Sequence, residues 1–121
     1  KKILFIEDEP DQIAMVSLRL EKNGYHVISS LDGEEGVEMA VKEKPNLILT
    51  DVIMPGIDGF EVCRRLRKNP ATKHIPIIST TAAGMDDVEH QCLTAGADDC
   101  MRKPYNSSDL LVKIKRLLEK K

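Results

Sequence analysis

At 121 residues, 41% of them hydrophobic and 31% charged, the chain suits one globular domain and leaves little room for a second. A formal charge of -2 offers no basic surface for nucleic acid. No apolar run approaches the roughly 18–20 residues of a membrane span, and no signal peptide is evident, so a cytoplasmic protein without membrane contact is expected.

The pattern along the chain alternates strand and helix. Ile3-Leu4-Phe5-Ile6 is a short continuous apolar run, as expected of a strand buried on both faces. Acids follow at once, and Pro10 suits the first turn of a helix that carries Ile13, Val16 and Leu20 inward until Asn23-Gly24 stops it. A second strand is predicted around Tyr25 to Ser29. Asp32 then caps a helix that presents Val37, Ala40 and Val41 and ends before Pro45. Leu47-Ile48-Leu49 forms the third strand, closed by Thr50-Asp51. Past Pro55 and Gly56, Asp58 caps a third helix with Phe60, Cys63 and Leu66 on one face.

Ile75-Pro76-Ile77-Ile78 reads as the fourth strand, its proline belonging at the beginning. A weaker helix spans Met85 to Ala95 and stops at Gly96. A short fifth strand lies near Asp99 to Met101. Asn106 with Asp109 resembles a capping box opening a last helix, with Leu110, Ile114 and Leu117 inward. Met39, Met54, Met101 and Tyr105 read as packing residues, and His90 as part of a solvated helix face. Cys63, Cys92 and Cys100 form no C-x-x-C and read as reduced core thiols, not a zinc site.

Five βα units imply an α/β fold, a doubly wound parallel sheet covered on both faces. In such sheets ligands bind outside the carboxyl ends of the strands. Those ends carry Glu7-Asp8, Asp51, Ser79-Thr80-Thr81 and Lys103-Pro104. Taken singly, each acid reads more readily as a helix cap or loop residue than as chemistry; taken together, they form a set. Two carboxylates about 5 Å apart repel by roughly 3 kcal/mol at an effective dielectric near 20. Three of them call for a cation, and an all-oxygen site with open positions suits Mg²⁺.

Ile-Glu-Asp-Glu-Pro (6–10), Asp-Val-Ile-Met-Pro-Gly-Ile-Asp-Gly (51–59), Thr-Ala (81–82), Ala-Gly-Ala-Asp-Asp (95–99) and Lys-Pro (103–104) resemble response-regulator receiver domains. The resemblance covers the whole chain, with the motifs in order, and implies a flavodoxin-like (βα)5 fold and one receiver domain over residues 1–121. It implies that Asp51 is the phosphoacceptor and that Asp8, Asp51 and the Ile53 carbonyl ligate Mg²⁺. Glu7 stands where Asp is commoner and would reach the metal through water. Thr81 matches the switch hydroxyl and Lys103 the family's invariant lysine. The Thr81 hydroxyl and the Ala82 amide would donate to the phosphoryl oxygens once the group is attached.

The resemblance also suggests a cis Lys103-Pro104 bond, although an ordinary trans proline before a helix fits the sequence equally. The implied partners are a histidine kinase or phosphotransfer protein upstream. Downstream stands an output domain or protein, met by the fourth helix, fifth strand and fifth helix; a weak homodimer stays open. Such a domain is not an enzyme in its own right but assists its own phosphorylation and dephosphorylation.

One departure stands out. The family usually places Tyr or Phe three residues before the lysine, as a ring that turns inward on phosphorylation, and here that residue is Cys100. Signalling is therefore expected to rely on movement of the loop after Thr81. Three other readings compete. A haloacid-dehalogenase-type phosphohydrolase wants an Asp two residues after the nucleophile, where Ile53 stands. A nucleotide-binding Rossmann domain wants a Gly-rich turn in place of Glu-Asp-Glu-Pro. A pseudo-receiver that works without phosphorylation would not need the intact acids, Thr81 and Lys103.

Overall fold

The computed structural model describes residues 1–81 and 88–119, the side chains of 88 and 89 excepted. Its strands are β1 (Lys2–Ile6), β2 (His26–Ser30), β3 (Leu47–Asp51), β4 (Ile77–Thr81) and β5 (Asp99–Arg102). The helices between and after them are α1 (Pro10–Lys22), α2 (Gly33–Glu43), α3 (Gly59–Lys68), α4 (Val88–Ala95) and α5 (Ser107–Glu119). All strands run parallel, in the order β2-β1-β3-β4-β5. This is the expected doubly wound α/β sheet.

Local chemistry accounts for most boundaries. Pro10 occupies the first turn of α1, where its missing N–H costs nothing, and Gly24, at φ +91°, takes the left-handed turn beyond its end. Asp32 and Asp58 accept from the Glu35 and Glu61 amides at 2.8 and 2.9 Å, satisfying otherwise orphaned donors of α2 and α3. Asn106 Oδ1 takes the Ser108 amide at 2.7 Å, so the cap is present on α5 but works through the second helical residue rather than through Asp109.

Two boundaries depart from the sequence reading. β4 does not cover 75–78; it starts at Ile77 and runs through Thr81. Pro76 cannot donate to a ladder, and its carbonyl serves only to accept from the Ile48 amide. The polar run Ser79-Thr80-Thr81, set aside as a strand end, is buried strand, flanked by β3 and β5. Two β-branched threonines fit a pleated surface well. For α4 the described helix starts at Val88, and residues 85–87 of the predicted span lie outside the described residues.

Alternate residues of the central strands face opposite layers. Leu4, Ile6, Ile48 and Ile77 pack with Ala40, Val62, Cys63, Leu66 and Cys92 under α2, α3 and α4. Ile3, Phe5, Leu47, Leu49 and Ile78 pack with Val16, Leu20, Leu110 and Ile114 under α1 and α5. Each such side chain contributes about 1.5–3 kcal/mol on burial. Met54 and Met101 are buried, Met39 and Tyr105 half-buried against these layers, and His90 is exposed, as expected. The chain reverses its direction of winding between β1 and β3, so the crevice above their carboxyl ends is where the fold opens a site.

Candidate phosphoacceptor and metal site

Glu7 follows the last residue of β1, and Asp51 is the last residue of β3, the neighbouring strand. Ligand oxygens of Glu7, Asp8 and Asp51 lie within 4.8 Å of one another. Glu7 and Asp51 are buried, and Asp8 is half-buried. Glu7 is held by the Ser30 carbonyl, which accepts its amide at 3.0 Å, and its own carboxylate accepts the Glu9 amide at 3.3 Å. Glu9 sits at the N-cap of α1 without a side-chain capping bond, so capping does not account for its place in the acidic run.

Lys103 reaches this cluster from the segment just after β5. Its Nζ donates to Glu7 Oε1 at 2.9 Å and to Asp51 Oδ2 at 3.2 Å. The Lys103 amide also bonds the Thr81 carbonyl, and the Lys103-Pro104 peptide is cis. Burial, together with the Asp51 charge, lifts Glu7 to about 7 despite the ammonium beside it. Burial works to lower the Lys103 value, but Glu7 and Asp51 outweigh it and hold the group above its ordinary value. Three carboxylates against one ammonium leave the cluster short of positive charge. An oxygen-only, acid-rich donor set of this kind fits a hard dication such as Mg²⁺.

The other expected site residues fall around this centre. Thr81 ends β4, in register with Arg102 and one strand from Asp51; its buried hydroxyl donates to the Met101 carbonyl at 3.5 Å. Ile53 lies two residues beyond Asp51 and is 56% exposed, at the open rim. Ala82 lies outside the described residues, as do residues 83–87, on which the expected movement after Thr81 falls. Cys100, at the position where an aromatic ring is usual, is half-buried and points its sulfur at Cys92 Sγ, 3.5 Å away. Beside Lys103, a groove of about 340 Å³ between α1 and the start of α5 is lined by Gln12, Met15, Val16, Pro104, Tyr105 and Ser107.

The sequence reading passed over one residue that shapes the site. Gly59 opens α3 directly against the end of β3: a Cβ there would overlap the Asp51 carbonyl oxygen and come 2.7 Å from Val52 Cα. Its amide bonds the Val52 carbonyl at 2.8 Å. The signal was available, since glycine is a poor choice inside a helix unless backbone must approach closely.

Comparison with known proteins agrees with this geometry. The family model of the response regulator receiver domain matches residues 3–115. The DNA-binding dual master transcriptional regulator RpaA of Synechocystis is 39% identical over 98% of this chain, which spans only 49% of that protein's length. Among solved structures, the signal receiver domain of a signal transduction histidine kinase from Syntrophus aciditrophicus superposes with a TM-score of 0.90 at 36% identity, covering 97% of this chain and 89% of that one. The receiver domain of sensor histidine kinase PA1611 from Pseudomonas aeruginosa, solved with a magnesium ion coordinated in its active site cleft, gives 0.92 at 29% identity over 99% and 98%. The chain therefore belongs to the response-regulator receiver domain family of two-component signalling.

Proposed function

We propose that this domain accepts a phosphoryl group on Asp51 from a phosphohistidine of a histidine kinase or phosphotransfer protein, and that the modified domain engages an output partner. The observation that carries this reading is the Lys103 ammonium bridging Glu7 and Asp51, with Asp8 in the same cluster, at the carboxyl rim of the sheet. An Asp51 carboxylate oxygen attacks phosphorus, the bond from phosphorus to the donor nitrogen breaks, and an acyl phosphate forms. Lys103, 3.2 Å from that carboxylate, neutralises charge on the transferred oxygens. Thr81, one strand over, supplies a hydroxyl that can exchange its long bond to the Met101 carbonyl for a phosphoryl oxygen. The Ala82 amide is assigned the same role. Asp8, Asp51 and the Ile53 carbonyl would hold Mg²⁺, with Glu7 acting through water. The ion would supply charge neutralisation that a single ammonium cannot.

The output face is assigned to α4, β5 and α5, where Leu93 and Val112 are exposed at 52% and 66%. Incubation with Mg²⁺ and acetyl phosphate, followed by intact mass, tests the reading. One labile phosphoryl adduct is expected, and Asp51→Asn should lack it. An adduct that persists in that variant would place the nucleophile elsewhere, and no adduct on the unaltered chain would favour a partner-binding module that works without phosphorylation.

A further inference from the structure

Cys92 on α4 and Cys100 on β5 face one another where the helix packs on the strand, with their sulfurs 3.5 Å apart. Cys92 is fully buried and Cys100 half-buried. A disulfide needs the sulfurs at about 2.05 Å, a closure within the reach of small side-chain rotations when the thiols already touch. The third thiol is placed differently. Cys63 is buried on α3 and directs its sulfur at the Ser79 hydroxyl, 3.7 Å away. Among the described residues the acidic cluster is the sole group of three metal-ligating side chains close enough to share an ion, so the three sulfurs do not make a thiolate metal site.

We propose that Cys92 and Cys100 are a modification site, a dithiol that a hydroperoxide oxidises to an intramolecular disulfide joining α4 to β5. The more exposed Cys100 meets the oxidant first. Its thiolate attacks a peroxide oxygen, the O–O bond breaks, and an alcohol (water, for hydrogen peroxide) leaves a sulfenic acid on Cys100. The Cys92 sulfur then attacks the Cys100 sulfur, the S–O bond breaks, and the departing hydroxide takes the Cys92 proton to leave as water. Two thiols lose two electrons and the hydroperoxide gains them. The hydrogen bond to Cys100, with burial, holds the Cys92 thiol protonated well above its ordinary range, so it is the poorer initiator of the two and its proton leaves with the departing hydroxide.

The bond would close the short segment from the end of α4 through Gly96 to β5 and fix helix against strand. Disulfides in reducing compartments are typically transient and redox-sensing.

The test needs no phosphodonor, so its outcome is independent of the role given to Asp51. The intact chain is treated with hydrogen peroxide, denatured, and alkylated with iodoacetamide. Oxidised protein should lose the mass of two hydrogens and take up one alkyl group, on Cys63, where reduced protein takes three. Dithiothreitol should restore all three. Cys63→Ser should still lose two hydrogens, whereas Cys100→Ser and Cys92→Ser should not: Cys100→Ser should keep both remaining thiols alkylatable, and Cys92→Ser should gain one oxygen on Cys100 and take up one alkyl group, on Cys63. Three alkylatable thiols after peroxide, a bridge to Cys63, or a disulfide between two chains would each overturn the proposal.

Discussion

Replacing Lys103 by Met removes the ammonium while keeping a side chain of similar length. At 2.9 and 3.2 Å the ammonium attracts each acid by about 5 kcal/mol at an effective dielectric of 20. Breaking a buried pair of this kind typically costs about 3–5 kcal/mol, because the remaining charge is left uncompensated. Here the cluster has an escape. Glu7 already titrates near 7, and without Lys103 it would hold its proton to higher pH, limiting the loss. The expected destabilisation without Mg²⁺ is about 3 kcal/mol at pH 8 and about half that at pH 6, where Glu7 is already protonated in the unaltered protein. Saturating Mg²⁺ should recover most of the loss, since a dication neutralises the same oxygens. Urea denaturation in EDTA and in Mg²⁺, at both pH values, reads these differences. A variant as stable as the parent at pH 8 in EDTA, or a loss indifferent to both pH and Mg²⁺, would refute the electrostatic reasoning.

Other substitutions probe the scaffold. Gly59→Ala should destabilise by about 1–3 kcal/mol, because the new methyl meets backbone and not a yielding side chain, and it should slow adduct formation at Asp51; unchanged stability by urea melts would contradict this. Arg67 ties α3 to the turns before β4 and β5 by donating to the Gly96, Lys73 and Ile75 carbonyls and to the Asp98 carboxylate. Arg67→Lys cannot reproduce that fork and should cost about 2–3 kcal/mol, again read from the denaturation midpoint, with a loss below about 0.5 kcal/mol counting against it.

The Glu7 value in the folded protein lies above its ordinary 4.5, so the folded state binds this proton more tightly than the unfolded chain does. The stability it contributes in EDTA is complete below about pH 4.5 and is lost as pH rises to about 7. Glu7→Gln should flatten that part of the profile, and an unaltered slope would show that another group titrates there.

Much of this molecule could be read from residue order. Apolar runs at Ile3-Leu4-Phe5-Ile6 and Leu47-Ile48-Leu49, and caps at Asp32 and Asp58, act locally, so their signals survive in one dimension. The meeting of Glu7, Asp8, Asp51 and Lys103 followed from one rule of sheet topology. What escaped depends on partners distant in sequence. Ser79-Thr80-Thr81 looks polar, and only placement between two strands makes it core. Arg67 finds Asp98 and Gly96 through the third dimension, and nothing around Cys92 or Cys100 in the chain announces that their sulfurs meet. Gly59 stood in the sequence only as the last residue of the 51–59 motif, and its intimacy with the Asp51 carbonyl is a property of helix docking.

The bond from Lys103 to Glu7 spans 96 of the chain's 121 residues. A chain in which the first four strands have paired but the last has not would bring its acids together without the ammonium that offsets them. Docking of the final strand thus does more than complete the sheet: it delivers the counter-charge that makes the crevice tolerable. Partly assembled forms are penalised at their most charged point, which favours an all-or-none transition and keeps incomplete chains from presenting a competent acceptor.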